Sequence, residues 1–495
     1  MPERATRHHR RGKSAEVVVP DSVWEGLNER KDAARLILDS ATPQMSEQLE
    51  LALFAPGESW SEFGSEEVLS ADQAPAHSGT EKWVDLMIQV VTPENLTKAL
   101  KRVKKNHGSP GVDGMTVEEL SNWLLAHWER VRGELLCGTY VPSAVRRCEI
   151  PKAGGGVRKL GIPTALDSLI QQMILQILSP LYDPTFSDRS FGFRPGRSGH
   201  DAVKAAQQMI QSGRRVVADV DLKTFFDLVQ HDVLMERLSR RMGDKILLGL
   251  IRRYLQAGIL AEGLVMERHE GTPQGGPLSP LLANVLLDEI DKELERAGHC
   301  FVRYADDCNV YVHSKRAGKR VMEHLRHWYG RLRLVVNEEK SAVGPAHTRK
   351  FLGYAFWYAA KGVVKRRVAT KTISVFKSNV RELSRRCRGV SLKQVIEDLK
   401  AKIRGWKNYF KLADTPKVFR ELDEWIRHRL RAYQLKQWKR GRTIFQKLRA
   451  MGASVEVAAQ VAGNGRRWWH SSALYLNMVL NIRFFDQLGL PRLAG

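Results

Sequence analysis

Residues 301–312 read Phe-Val-Arg-Tyr-Ala-Asp-Asp-Cys-Asn-Val-Tyr-Val, two apolar, β-rich stretches that meet at a pair of adjacent acids. Such a pattern predicts a hairpin whose tight turn carries the carboxylates. A regular strand sends neighbouring side chains to opposite faces, so a turn is what lets Asp306 and Asp307 serve one site. Hard divalent cations need oxygen ligands, and Mg²⁺ is usually held by one or two carboxylates together with substrate phosphates. A polar hairpin tip without function has the same composition, so the rest of the chain must decide.

A third carboxylate has a suitable setting. Arg214 to Leu222 read Arg-Arg-Val-Val-Ala-Asp-Val-Asp-Leu, a β-branched strand ending in acids. A strand delivering Asp221 beside the 304–307 turn completes a three-carboxylate cluster. Such a cluster can hold two metal ions that clamp the attacking and leaving oxygens of a phosphoryl displacement. Asp219 shares the strand face with Asp221, and spacing alone does not choose between them. Between the acidic segments lies Gly271-Thr-Pro-Gln-Gly-Gly-Pro-Leu-Ser-Pro280, followed by the apolar 281–287. This reads as a rigid turn opening into a helix. Glycines let a backbone approach a nucleotide closely, and a helix N-terminus favours phosphate.

In this order the segments resemble the finger and palm motifs of reverse transcriptases, and most closely those of bacterial group II intron-encoded proteins. The further matching stretches are Gly108-Ser-Pro-Gly-Val-Asp-Gly114, Ile150-Pro-Lys152, Arg158-Lys-Leu-Gly-Ile-Pro163 and Ser190-Phe-Gly-Phe-Arg-Pro195. Asp221-Leu-Lys-Thr-Phe-Phe-Asp227, Asn337-Glu-Glu-Lys340 and Phe351-Leu-Gly-Tyr354 complete the set. The resemblance implies an α+β, right-hand polymerase with fingers and palm, followed by an α-helical thumb (domain X). It implies that Asp221, Asp306 and Asp307 ligate two Mg²⁺ ions, with Mn²⁺ as a possible substitute. Phe226 falls at the steric gate against a nucleotide's 2′-OH, the group that distinguishes RNA from DNA. Lys152 and Arg158 fall where the family meets the incoming triphosphate, and Gln274 where it lines the nucleotide pocket. Lys340 matches a lysine that protonates the leaving pyrophosphate.

Charge points to the same partner class. The chain has 495 residues and a formal net charge of +24, unevenly spread. Residues 1–80 hold eight basic against fourteen acidic residues, whereas 361–450 hold 27 against seven. A field of that density is the footprint of a polyanion-binding surface. No 18-residue apolar run or secretory signal appears, which argues against a membrane partner. The five cysteines include no Cys-x-x-C pair. They suit a reducing interior, here cytoplasmic and beside the nucleoid when DNA is engaged.

The expected organisation is a leader over 1–84, fingers with an N-terminal extension over 85–215, a palm over 216–360, a helical thumb over 361–440 and a C-terminal segment over 441–495. The leader is expected to be largely disordered. The last segment is a candidate for DNA contact, and the resemblance points to the branch without a His-Asn-His endonuclease. Leu96, Leu100 and Val103 predict a helix before the Gly108 loop. Ile373, Phe376, Val380 and Leu383, then Leu392, Val395, Ile396 and Leu399, recur at helical spacing. Arg404-Gly-Trp-Lys-Asn-Tyr-Phe410 resembles the maturase signature. Lys402, Arg404 and Lys407 are the candidates for RNA contact, because charged heads are rarely buried unpaired. Trp406 and Tyr409 suit core packing or base stacking. The implied function is RNA-directed DNA synthesis plus assistance to splicing of the chain's own intron RNA, with target DNA, a primer and dNTPs as further partners. A free-standing reverse transcriptase, a catalytically silent RNA-binding splicing cofactor and an RNA-dependent RNA polymerase are the rivals.

Overall fold

The computed structural model describes residues 82–494 apart from 152–156, 262–263, 267–269 and 465–466. The leader and Lys152 lie outside the described residues. In chain order the strands are β1 (Val145–Pro151), β2 (Val157–Ile162), β3 (Val216–Val220), β4 (Ile259–Ala261), β5 (Leu264–Met266), β6 (Cys300–Tyr304), β7 (Asp307–Val312), β8 (Ala342–Pro345), β9 (Lys350–Phe351), β10 (Tyr354–Tyr358) and β11 (Val364–Val368). The chain packs as two interleaved units. Of the described residues, one comprises those in 82–149, 159–181 and 231–279, and the other those in 150–158, 182–230 and 280–494.

The first unit surrounds a sheet in the order β2-β1-β4-β5 with helices. The expected helix runs Pro93–Asn106 and buries Leu96, Ala99, Leu100 and Val103 on one stripe. Proline suits its first position because the missing N–H would have no partner there. Helix Val117–Leu136 begins with a capping box: the Glu119 amide donates to Thr116 Oγ1 at 3.3 Å, and the Thr116 amide donates to Glu119 at 2.8 Å. Asp167, buried, accepts from Thr164 at 2.7 Å, Tyr140 at 2.9 Å and Tyr254 at 3.1 Å. This ties helices Ala165–Tyr182 and Lys245–Gln256 to the chain leading into β1.

In the second unit the central sheet is antiparallel, in the order β6-β7-β3-β8. Its pairing puts Asp219, Asn309 and Asp307 on one face and Ala218, Val310 and Cys308 on the other. Helix Lys315–Arg331 covers the second face, where Gly318 lies against Val343, Val312 and Val216. Helix Gly199–Gln211 covers part of the first: Ala202, Val203, Ala206 and Ile210 cluster with Val217, Val302 and Tyr311. The acidic end of that face carries Asp219 and Asp307.

A small sheet, β11-β10-β9, leads into helices Thr370–Leu383, Leu392–Phe410 and Pro416–Trp438. The expected stripes are inward: Phe376, Val380, Leu392, Val395, Ile396 and Leu399 are all buried. Short helices from Gly441 onward close on the same core through Leu448, Ala458, Leu476, Leu480 and Phe485. The buried Asp423 accepts from the amides of Leu493 at 3.0 Å and Ala494 at 2.9 Å, so the last residues are stitched to helix Pro416–Trp438. Among the described residues no helix is long and apolar enough to cross a membrane.

Candidate active site

The hairpin forms where the sequence places it. β6 and β7 pair with Tyr304 opposite Asp307, leaving Ala305 and Asp306 as a two-residue turn. Ala305 has φ 57°, the positive sense that primed hairpin turns need. An alanine there costs free energy, so its surroundings must hold it.

They do so through a buried polar network. Arg303 and Asp291 have fully buried side chains, and the Arg303 guanidinium meets the Asp291 carboxylate at 2.6 Å. The same guanidinium donates to the Asn284 side chain at 2.9 Å and to the Ala305 carbonyl at 3.0 Å. Asn284 in turn donates to the Gly192 carbonyl at 2.9 Å. A Cβ at Gly192 would overlap the Ala305 amide nitrogen, so only glycine fits behind the turn. The Phe191 amide donates to the Arg303 carbonyl at 2.9 Å, which lays the 190–195 stretch along β6. A buried charge pair needs this many partners to offset its desolvation.

Asp221 leaves the end of β3 and is fixed by its backbone. Its amide donates to Ser341 Oγ at 3.0 Å, and its carbonyl accepts from the Asn337 amide at 2.8 Å. The same 337–341 turn presents Lys340, whose ammonium lies 3.5 Å from the Asp221 carboxylate. Asp219 is paired with Arg349 at 2.7 Å. Burial, and then the charges of Asp219, Asp306 and Asp221, push Asp307 up to about 8. Burial raises Asp219 as well, against the pull of Arg349.

Four carboxylates thus share one electrostatic neighbourhood, and the opposing charge of Lys350 does not offset their effect on Asp307. An all-oxygen donor set with excess negative charge fits a hard divalent cation. Among the described residues no three ligands already stand in metal-binding geometry.

The remaining candidates are distributed as follows. Phe226 is half-buried in the turn Phe225–Asp227 and meets Phe225 edge-on with ring centroids 5.1 Å apart, whereas Phe225 is the core residue. Gln274 belongs to the first unit, where its carbonyl accepts from the Gly161 amide at 2.8 Å. Gly275 there has φ 135°, and a Cβ on it would sit 2.6 Å from the Gly161 carbonyl, so the loop is pressed against β2. Arg158 lies in β2. Lys402 and Arg404 are exposed on helix Leu392–Phe410. Lys407 instead donates to the Arg492 carbonyl at 2.9 Å. Trp406 stacks on Phe376 with centroids 4.6 Å apart and packs into the core, while Tyr409 donates to the Leu352 carbonyl at 3.0 Å.

Sequence reasoning missed the Asp219–Arg349 pair and the Arg303 network. A signal for the second was present: Asn284 and Asp291 are polar interruptions seven residues apart on one face of an apolar helix.

The family described as reverse transcriptase (RNA-dependent DNA polymerase) matches residues 150–356. The chain therefore carries a reverse-transcriptase domain. A second match, the group II intron maturase-specific domain, covers residues 373–451. The two matches follow one another along the chain, a reverse-transcriptase domain ahead of a maturase-specific domain. It is 37% identical over 218 residues to protein YkfC of Escherichia coli K12, covering 43% of this chain and 57% of that protein. It is 31% identical over 296 residues to the group II intron-encoded protein LtrA of Lactococcus lactis subsp. cremoris, covering 46% and 49%. The chain thus spans about half the length of these relatives. Among solved structures, a partial Cas6-RT-Cas1–Cas2 complex matches with TM-score 0.33 and 25% identity, over 50% of this chain and 42% of that one.

The raised Asp307 gives a stability prediction. Its carboxyl holds a proton in the folded state up to about 8, against about 3.9 in an unfolded chain. Folding stability from this group is therefore present at low pH and lost as pH rises between those values. In metal-free buffer Asp307→Asn should melt higher than wild type at pH 9, with the gap closing towards pH 4. A gap independent of pH, read by differential scanning fluorimetry, would contradict the assignment.

Proposed function

We propose that the chain is an RNA-directed DNA polymerase and maturase of a group II intron, binding intron RNA to promote its splicing and copying it into cDNA during retrohoming. The observation that carries the reading is the acidic turn, locked by a buried ion pair beside Asp221, in a chain matched by both the polymerase and the maturase-specific families.

In the proposed reaction a primer 3′-OH attacks the α-phosphate of a dNTP and pyrophosphate leaves. Asp221, Asp306 and Asp307 would hold two Mg²⁺ ions, or Mn²⁺ in their place. Bound there, the cations supply charge neutralisation and a more acidic attacking hydroxyl. The protein's own task is mostly positioning. The fixed backbone of Asp221 and the locked turn keep the carboxylates from drifting as phosphate charge arrives. Lys340, 3.5 Å from Asp221, would give a proton to the departing pyrophosphate. Lys152, Arg158 and Gln274 serve the nucleotide, and the Phe226 ring excludes a 2′-OH.

The basic helical region, through Lys402 and Arg404, would bind intron RNA, with target DNA and primer engaged by the same particle. Lys407 is proposed to act there by pinning the 492 region rather than by reaching outward. We place this work in the cytoplasm, beside the nucleoid when DNA is engaged; all five cysteines are free, as a reducing compartment keeps them.

Primer extension on an RNA template with dNTPs and Mg²⁺ tests the reading. Asp306→Ala should lose at least about 10²-fold in rate, the scale of removing one electrostatic stabiliser. Synthesis near the wild-type rate in that variant would remove the metal assignment. Phe226→Ala should raise the use of rNTPs relative to dNTPs by about tenfold or more, the range one steric contact commands. Unchanged discrimination would assign the ring to packing alone.

A further inference from the structure

A cavity of about 220 Å³ lies in the helical region, well away in sequence from the acidic turn. Arg386, Lys436, Lys439 and Asn464 line it over an apolar floor that includes Ile444 and Trp468. No carboxylate is among its lining residues. The central carbon of the Arg386 guanidinium lies over the Trp468 ring, 3.8 Å from its centroid. The Arg386 Nε is buried and has no hydrogen-bond partner. Stacking of this kind fixes the guanidinium plane and leaves its fork of donors preorganised for an oxyanion.

Lys439 supplies an independent sign. It follows the end of helix Pro416–Trp438 with φ 57° and ψ −67°. The Arg440 amide donates to the Trp438 carbonyl at 2.7 Å across it. This is a γ-turn of the rare, strained sense. A lysine held in such a conformation at the rim of a cationic cavity costs free energy, and strain of this sort gathers at ligand clamps. The maturase-specific match ends at residue 451, whereas Asn464 and Trp468 come from later helices. The cavity is therefore closed by a part of the chain to which no match assigns a role.

We propose that this cavity seats a backbone phosphate of single-stranded RNA, with the Arg386 fork and the Lys436 and Lys439 ammonium groups as its donors. The inference rests on the reading that the helical region binds RNA and names the place where one phosphodiester is held. Arginine gives directional recognition of phosphate, while the lysines act as point charges. Asn464 offers a neutral donor or acceptor to the adjoining sugar.

The test uses the full chain and a labelled 20-residue oligouridylate. Lysines are acetylated with and without the oligonucleotide and read by mass spectrometry, with Lys315 and Lys319 of the palm helix as exposed references. Lys436 and Lys439 should be shielded several-fold more than the references. In parallel, Lys436→Gln/Lys439→Gln should reduce the slope of log affinity against log salt by about 0.7, the value for one phosphate contact on a single strand. Wild-type binding with equal acetylation of all four lysines and an unchanged slope would overturn the phosphate seat while leaving RNA binding intact. Failure of the wild type to bind the oligonucleotide would overturn both readings. Shielding by inorganic pyrophosphate but not by the oligonucleotide would replace RNA by a small anion.

Discussion

The ion pair between Arg303 and Asp291 sets the position of the acidic β6–β7 turn. It sits beneath the β6–β7 turn with both side chains fully buried. Isolated, such a pair is a poor source of stability, because desolvation consumes the Coulomb gain. Here it has a second role: the guanidinium also binds the Ala305 carbonyl and the Asn284 side chain, and Asn284 binds Gly192. One arginine thus fixes a strained turn, a neighbouring loop and a helix in one register. The acids at the turn inherit that precision.

The same turn carries an electrostatic cost. Asp307, raised to about 8, is a carboxylate assembled with like charges and little compensation. Such an arrangement weakens the fold as pH rises from about 3.9 towards about 8. Stability given up at a site, and restored when the site works, is the usual exchange at functional positions. Asp219, held by Arg349, adds to the field felt by Asp307. Its charge reaches Asp307 although it lies on the strand rather than at its end.

Much of this was legible in the sequence. The hairpin announced itself because two acids interrupt apolar β-rich runs, and the thumb helices because Val395, Ile396 and Leu399 keep helical spacing. The order of motifs carried the resemblance. Other features could not be read, for physical reasons. Spacing gives Asp219 and Asp221 the same strand face, and only the tertiary pairing with Arg349 separates them. Arg303 in a strand looks like a solvated charge until Asn284 and Asp291, distant in sequence, are brought against it. Lys407 looked free to meet RNA, but the chain end folds back and presents the Arg492 carbonyl to it. The docking of the 441–494 helices onto helix Pro416–Trp438 depends on buried polar contacts such as Asp423 with the last amides, which leave no periodic trace.

The central claim is that the buried network behind the turn positions the carboxylates for nucleotidyl transfer. Gly192→Ala tests it most directly, because a methyl group there collides with the Ala305 amide without removing any charge. The measurement is the single-turnover rate of one dNTP addition on an RNA-templated primer, alongside primer–template affinity. A misplacement of about 1 Å should slow the chemical step by about 10²-fold with affinity unchanged. A wild-type rate, or a loss confined to affinity, would contradict the account.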